Sequence, residues 1–169
     1  MTPVIHLPRR ALQHQLELND DPTPRPLSGV NAACRDLRLP ARGHLENPGV
    51  IDLVDDYQAL VAFNIAVHEN SRRELRILTR SIEHYKLTQG FRPLNLSWAQ
   101  IVKLILPHDK PAVTATECAA ALNCKTVMPL VETRQLAIVR GTDWQRGPGG
   151  SASITRESFI AFLLKRRVA

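Results

Sequence analysis

Apolar residues recur at steps of three and four along Val50, Leu53, Val54, Tyr57, Leu60, Val61 and Ile65. That spacing gathers side chains on one face of a helix. It predicts helix across residues 50–88, interrupted at the polar Glu69-Asn70-Ser71. Leu75, Leu78, Ile82 and Tyr85 continue the pattern, while Arg72, Arg73, Glu74, Arg76 and Glu83 fill the opposite face. The same steps suit pairing between helices, so residues 49–107 form a candidate helical assembly region with a dimer seam. Gln89–Gly90 closes the run, with Gly90 as a left-handed cap. Ser97 then caps a helix over Trp98–Leu106, and Pro107 ends it. Trp98, Ile101, Val102, Leu104 and Ile105 are too apolar for a free helix. Trp98 is the predicted anchor between this region and the remainder of the chain.

From Ala112 the pattern changes. Thr114 and Glu117 have the spacing of a capping box, in which the hydroxyl accepts from the third helical amide and the carboxylate reaches back. The alanine-rich helix Glu117–Leu122 allows a second helix to cross closely. Asn123-Cys124 makes a turn, since Asn tolerates left-handed geometry. Lys125 or Thr126 opens a second helix through Thr133, with Val127, Leu130 and Val131 inward. Pro129 is tolerated in its first turn. Leu136–Val139 reads as a strand. A glycine-rich stretch from Gly141 to Gly150 follows, and Ser151–Thr155 returns. Thr155 caps a final helix, Arg156–Arg167, with Phe159, Phe162 and Leu163 buried and Lys165, Arg166 and Arg167 at the favoured end.

Residues 1–48 hold seven of the twelve prolines and no sustained periodicity. Beyond a short helix at His6–Leu18, this part reads as a partly disordered arm or linker. The fold class expected for the whole is mainly α, with a small β-hairpin near the C-terminus. The domains expected are residues 1–48, 49–107 and 108–169.

Charge sharpens the picture. The net charge is +6. Residues 108–169 carry nine Lys/Arg against five Asp/Glu, so +4 of the surplus lies there. Cys34, Cys118 and Cys124 are too few and too irregular for a disulfide framework, and Cys118 and Cys124 read as buried thiols. A signal peptide core and an apolar span are both absent from the sequence. A cytoplasmic location is therefore expected, with no membrane partner.

The segment 112–167 resembles the excisionase/MerR-type winged helix-turn-helix family. The residues carrying the likeness are Thr114–Leu122, Glu132–Gly141 and Ile154–Leu163. Family members run from an alanine-rich helix through a recognition helix, which closes in a turn containing glycine before a leucine, to a small wing and a closing helix. This chain has a shorter turn and recognition helix and a longer, glycine-rich wing. The resemblance implies double-stranded DNA as partner. It places Lys125, Thr126, Met128 and Arg134 toward the major groove, and Arg140, Trp144, Gln145 and Arg146 on the wing at the backbone or minor groove. The expected function is a sequence-specific transcriptional regulator, dimeric and nucleoid-associated. The alternatives are an excisionase-like architectural or recombination directionality factor of a mobile element, and a protein-interaction adaptor.

Enzyme readings find no footing. Gly147-Pro148-Gly149-Gly150 lacks the Lys-Ser/Thr of a phosphate loop. Asp52, Asp55 and Asp56 sit where a helix start favours acids. The histidines are scattered, and no nucleophile–base pattern stands out. No cofactor, metal site or catalytic residue is expected.

Overall fold

The computed structural model of the chain describes residues 25–68, 72–90, 94–140 and 152–169. They form β1 (Leu27–Gly29), α1 (Val30–Leu37), α2 (Val50–Asp55), β2 (Ala62–Asn64), β3 (Leu75–Leu78) and α3 (Thr79–Thr88). After α4 (Trp98–Ile105) come β4 (Ala112–Thr114), α5 (Ala115–Leu122), α6 (Met128–Glu132), β5 (Ser153–Thr155) and α7 (Arg156–Arg166). The mainly α class expected from the sequence is therefore corrected. Among the described residues the chain is mixed α/β, 44% helical and 14% strand, with two small antiparallel sheets.

Much of the correction falls between residues 50 and 88. α2 ends at Asp55, and β2 and β3 occupy the centre of the expected helix. Phe63 and Ile65 are buried in one core, while Ala62, Leu75 and Ile77 are buried in another. A strand covered on both faces carries apolar residues at adjacent as well as alternate positions. Such a run overlaps with helical spacing. Full burial of a Phe or Ile contributes about 1.5–3 kcal/mol, against at most about 0.7 kcal/mol per ordinary residue of helix propensity. Tertiary contacts therefore decide. The expected dimer seam is lost with the helix, because Leu75, Leu78 and Ile82 are buried inside this chain.

The arm-or-linker expectation fails for residues 27–37, which form β1 and α1. β1 pairs with β3, giving the sheet order β1-β3-β2. Residues 1–24, with the helix expected at His6–Leu18, lie outside the described residues, as do Glu69-Asn70-Ser71.

The two sheets belong to one arrangement used twice. Residues 26–90 form the first module and residues 111–167 the second. In each, a strand runs directly into an eight-residue helix, a shorter helix follows, and a hairpin leads into a closing helix. The strand registers correspond. Leu27 faces Leu78 and Gly29 faces Arg76, just as Ala112 faces Thr155 and Thr114 faces Ser153. Ala62 pairs with Ile77 as Ile138 pairs with Ile154.

The turns correspond as well. α1 and α5 both end in a left-handed residue, Arg38 (φ 55°) and Asn123 (φ 53°). The next amide then reaches back, Leu39 N to Cys34 O at 3.1 Å and Cys124 N to Ala119 O at 2.9 Å. Past the short helix, Gln58 (φ 50°) and Arg134 (φ 60°) are again left-handed. Each precedes a buried leucine, Leu60 or Leu136. A serine of the closing helix then ties the hairpin down. Ser81 Oγ accepts from Val61 N at 3.1 Å and donates to Leu78 O at 2.7 Å. Ser158 Oγ accepts from Ala137 N and donates to Thr155 O, both at 3.0 Å.

The modules share a core. Leu27, Phe63 and Leu78 of the first lie in one cluster with Ile101 and Ile105 of α4 and with Leu122, Ile154, Phe159 and Leu163 of the second. Trp98 sits at the junction as expected. Its ring centroid is 6.2 Å from that of Phe63, and the Arg167 guanidinium lies over it at 5.8 Å. Beyond α7 the chain runs along the free edge of β2. Val168 N donates to Ala62 O at 2.9 Å, and Ala62 N donates to Ala169 O at 3.1 Å. Among the described residues, no helix is long and apolar enough to cross a membrane.

Candidate nucleic-acid interface

The candidate face is built on α5, α6 and the turn between them. Glu117 N donates to Thr114 Oγ1 at 3.1 Å, and Thr114 N donates to Glu117 Oε1 at 3.4 Å, closing the expected capping box. His108 Nε2 lies 2.7 Å from Glu117 Oε2. Partial burial raises the Glu117 pKa, but the His108 and Thr114 contacts outweigh it and leave the carboxyl below its ordinary range. α5 buries Cys118, Ala119, Ala121 and Leu122. Burial pushes the Cys118 thiol up to about 12, so it stays protonated at neutral pH. Burial also raises the half-buried Cys124 thiol.

Lys125 and Thr126 were expected to open the second helix. They lie instead in the turn, and α6 begins at Met128. Val127 is fully buried, with φ −106° and ψ 8°, outside helical geometry. Thr126 still serves the helix start, since its Oγ1 accepts from Met128 N at 3.1 Å. Pro129 falls in the first turn, where it forfeits no helical bond. α6 stops at Glu132, and Thr133 Oγ1 donates to Pro129 O at 2.8 Å.

Lys125, Thr126, Met128, Arg134 and Arg140 are all exposed, while Leu130 is buried and Val131 half-buried beneath them. Among the described residues, no hydrogen bond or ion pair engages the charged groups of Lys125, Arg134 or Arg140. The strand expected at Leu136–Val139 shrinks to the single bridge at Ile138, though Val139 N still donates to Ser153 O at 2.7 Å. Trp144, Gln145, Arg146 and the Gly147–Gly150 tip lie outside the described residues.

The corresponding face of the first module is furnished differently. Its short helix α2 carries Asp52 and Asp55, with Asp56 at its end. Asp52 accepts from Gly43 N at 2.7 Å, from Gly49 N at 2.9 Å and from Arg42 Nη1 at 3.2 Å. The Gly43 and Gly49 amides, helped by Arg42, hold its carboxyl below the ordinary range. Asp55 takes two bonds from Arg73, at 2.7 and 3.0 Å, which lower its pKa and raise that of Arg73. These carboxylates close a helix start and brace a hairpin. The first module therefore pairs its short-helix carboxylates with arginines, whereas Lys125, Arg134 and Arg140 of the second have no such partner among the described residues.

One group of residues escaped the sequence reading. Thr133, Gln135, Lys165 and Arg166 meet Ala66 and His68 around a cleft of about 340 Å³ where the modules adjoin. Arg166 Nη2 donates to Gln135 Oε1, and its guanidinium lies 5.4 Å from the Phe162 ring centre. Its Nε is buried with no hydrogen-bond partner among the described residues. The Lys165-Arg166-Arg167 run is plain in the sequence, but it reads there only as a helix-end cluster.

No protein-family model, curated protein or solved structure matches the chain.

Proposed function

We propose that the chain is a sequence-specific DNA-binding regulator that docks through its second module. In this reading the module is a winged helix-turn-helix of the excisionase/MerR type. The turn before α6 and the start of α6 enter the major groove, and the segment from Arg140 onward follows the backbone. The observation that carries the reading is the contrast between twin modules. The first module's short-helix acids Asp52 and Asp55 are paired with Arg42 and Arg73, whereas the second module exposes Lys125, Arg134 and Arg140 beside Glu132, with no ion-pair partner for these three cations among the described residues. Cations without carboxylate partners are free to replace the counterions of DNA phosphates. Lys125 offers a donor to guanine edges, and Thr126 and Met128 offer apolar contact to a thymine methyl.

In this reading the first module is a rigid neighbour that buries its sheet against the DNA-binding module. A cytoplasmic, nucleoid-associated location follows from the same reading. Selection of bound duplexes from a randomised pool by the full chain tests it. The expected result is enrichment of one short motif, lost in Lys125→Ala/Arg134→Ala. A pool that remains random after repeated rounds would overturn sequence-specific binding and leave an adaptor role.

A further inference from the structure

We infer that the cleft between Ala66, His68, Thr133, Gln135, Lys165 and Arg166 is a binding site for a small oxyanion, a phosphate or phosphate ester. Independently of any DNA contact, the first module has a cleft in the corresponding place, also about 340 Å³, between the turn after its short helix and the end of its closing helix. That cleft is lined by Leu53, Tyr57, Ala59, Tyr85 and Gly90 among others, and among the described residues no charged side chain borders it. In the second module Thr133 and Gln135 stand where Tyr57 and Ala59 stand in the first, and Lys165 and Arg166 border the cleft. One backbone hollow thus has an aromatic version and a cationic version.

Three features of the cationic version point to an anion. Among the described residues, none that lines it is acidic, and Lys165 has no carboxylate partner. Arg166 is positioned by Gln135 and by the Phe162 ring, so its guanidinium is held in place before any ligand arrives. A planar guanidinium presents two parallel donors that match phosphate oxygens. Its Nε–H is buried with no acceptor among the described residues, which leaves the hydrogen bonding of the guanidinium incomplete, a costly state for a buried donor. The C-terminal end of α7 opposes the anion with about half a negative charge. The two full positive charges of Lys165 and Arg166 outweigh it. The volume lies at the low end for small-molecule sites, which suits a phosphate or small phosphate ester better than a nucleotide.

The test uses the full chain and inorganic phosphate as probe. Thermal unfolding and titration calorimetry are followed at constant ionic strength, with chloride as the exchanged ion. A saturable rise in Tm with phosphate is expected, as for any ligand of the folded state. Lys165→Gln, at an exposed position, should weaken phosphate affinity by about tenfold, the usual scale for one charge-assisted contact. Arg166→Gln should abolish binding, and circular dichroism separates that loss from misfolding. Equal, unsaturable Tm shifts in wild type and Lys165→Gln would overturn the site. Repeating the titration with duplex DNA present separates the sources. Competition assigns the site to a DNA phosphate, and undiminished binding assigns it to a free anion.

Discussion

Arg134 occupies a left-handed position with φ 60°. A side chain in that conformation costs roughly 1 kcal/mol relative to glycine. Arg134→Gly should therefore leave stability unchanged or raise it by up to about 1 kcal/mol in a denaturant titration, while weakening DNA binding. A clear loss of stability would show that the arginine makes contacts absent from the structure. The paired serines give a second prediction. Ser81 is 1% exposed and satisfies both Val61 N–H and Leu78 C=O. Ser81→Ala should cost about 1–3 kcal/mol, because two buried groups lose their partner. Ser158 makes the same pair of bonds at a half-buried site that water can reach. Ser158→Ala should cost less, and the reverse order would contradict the proposed equivalence.

Among the elements, those with a chemical signature at their ends were legible. Thr114 with Glu117, Ser97, Asn123 and Thr155 mark boundaries in sequence, and each sits at the expected boundary. β2 and β3 were not legible, because burial on both faces gives a strand the apolar density of a helix. The duplication was hidden for another reason. It rests on backbone features, namely left-handed turns, strand register and serine ties, which are compatible with many side chains. The connection between the first two helices also differs, residues 38–49 against residues 123–127, which shifts the alignment midway through the module. Of the candidate site, exposure of Lys125, Arg134 and Arg140 followed from their polarity. The cationic cleft needs Ala66 and His68, which are remote in sequence from Thr133 and Lys165.

α2 also carries the pH dependence that belongs at this scale. Its Asp52 and Asp55 carboxyls titrate below their unfolded values. Their stabilising contribution is complete above about pH 4 and disappears as pH falls through the folded pKa values. Tm should fall on acidification below about pH 4. Asp52→Asn should lower Tm at neutral pH and flatten that acid limb. An acid limb of unchanged steepness would show that other carboxyls carry it.

At the scale of the whole molecule, two modules of one design are fused through a shared core around Phe63, Trp98 and Phe159. They differ in what they show to solvent. If the second module meets a duplex with Lys125, Arg134 and Arg140, binding releases counterions. Fluorescence anisotropy of a labelled duplex, titrated with the full chain over a series of salt concentrations, reads this out. Log affinity should fall linearly with log salt. Lys125→Ala/Arg134→Ala/Arg140→Ala should make that slope shallower by about two to three, near 0.9 per lost phosphate contact. An affinity indifferent to salt, or the same slope in the triple variant, would contradict docking through these cations.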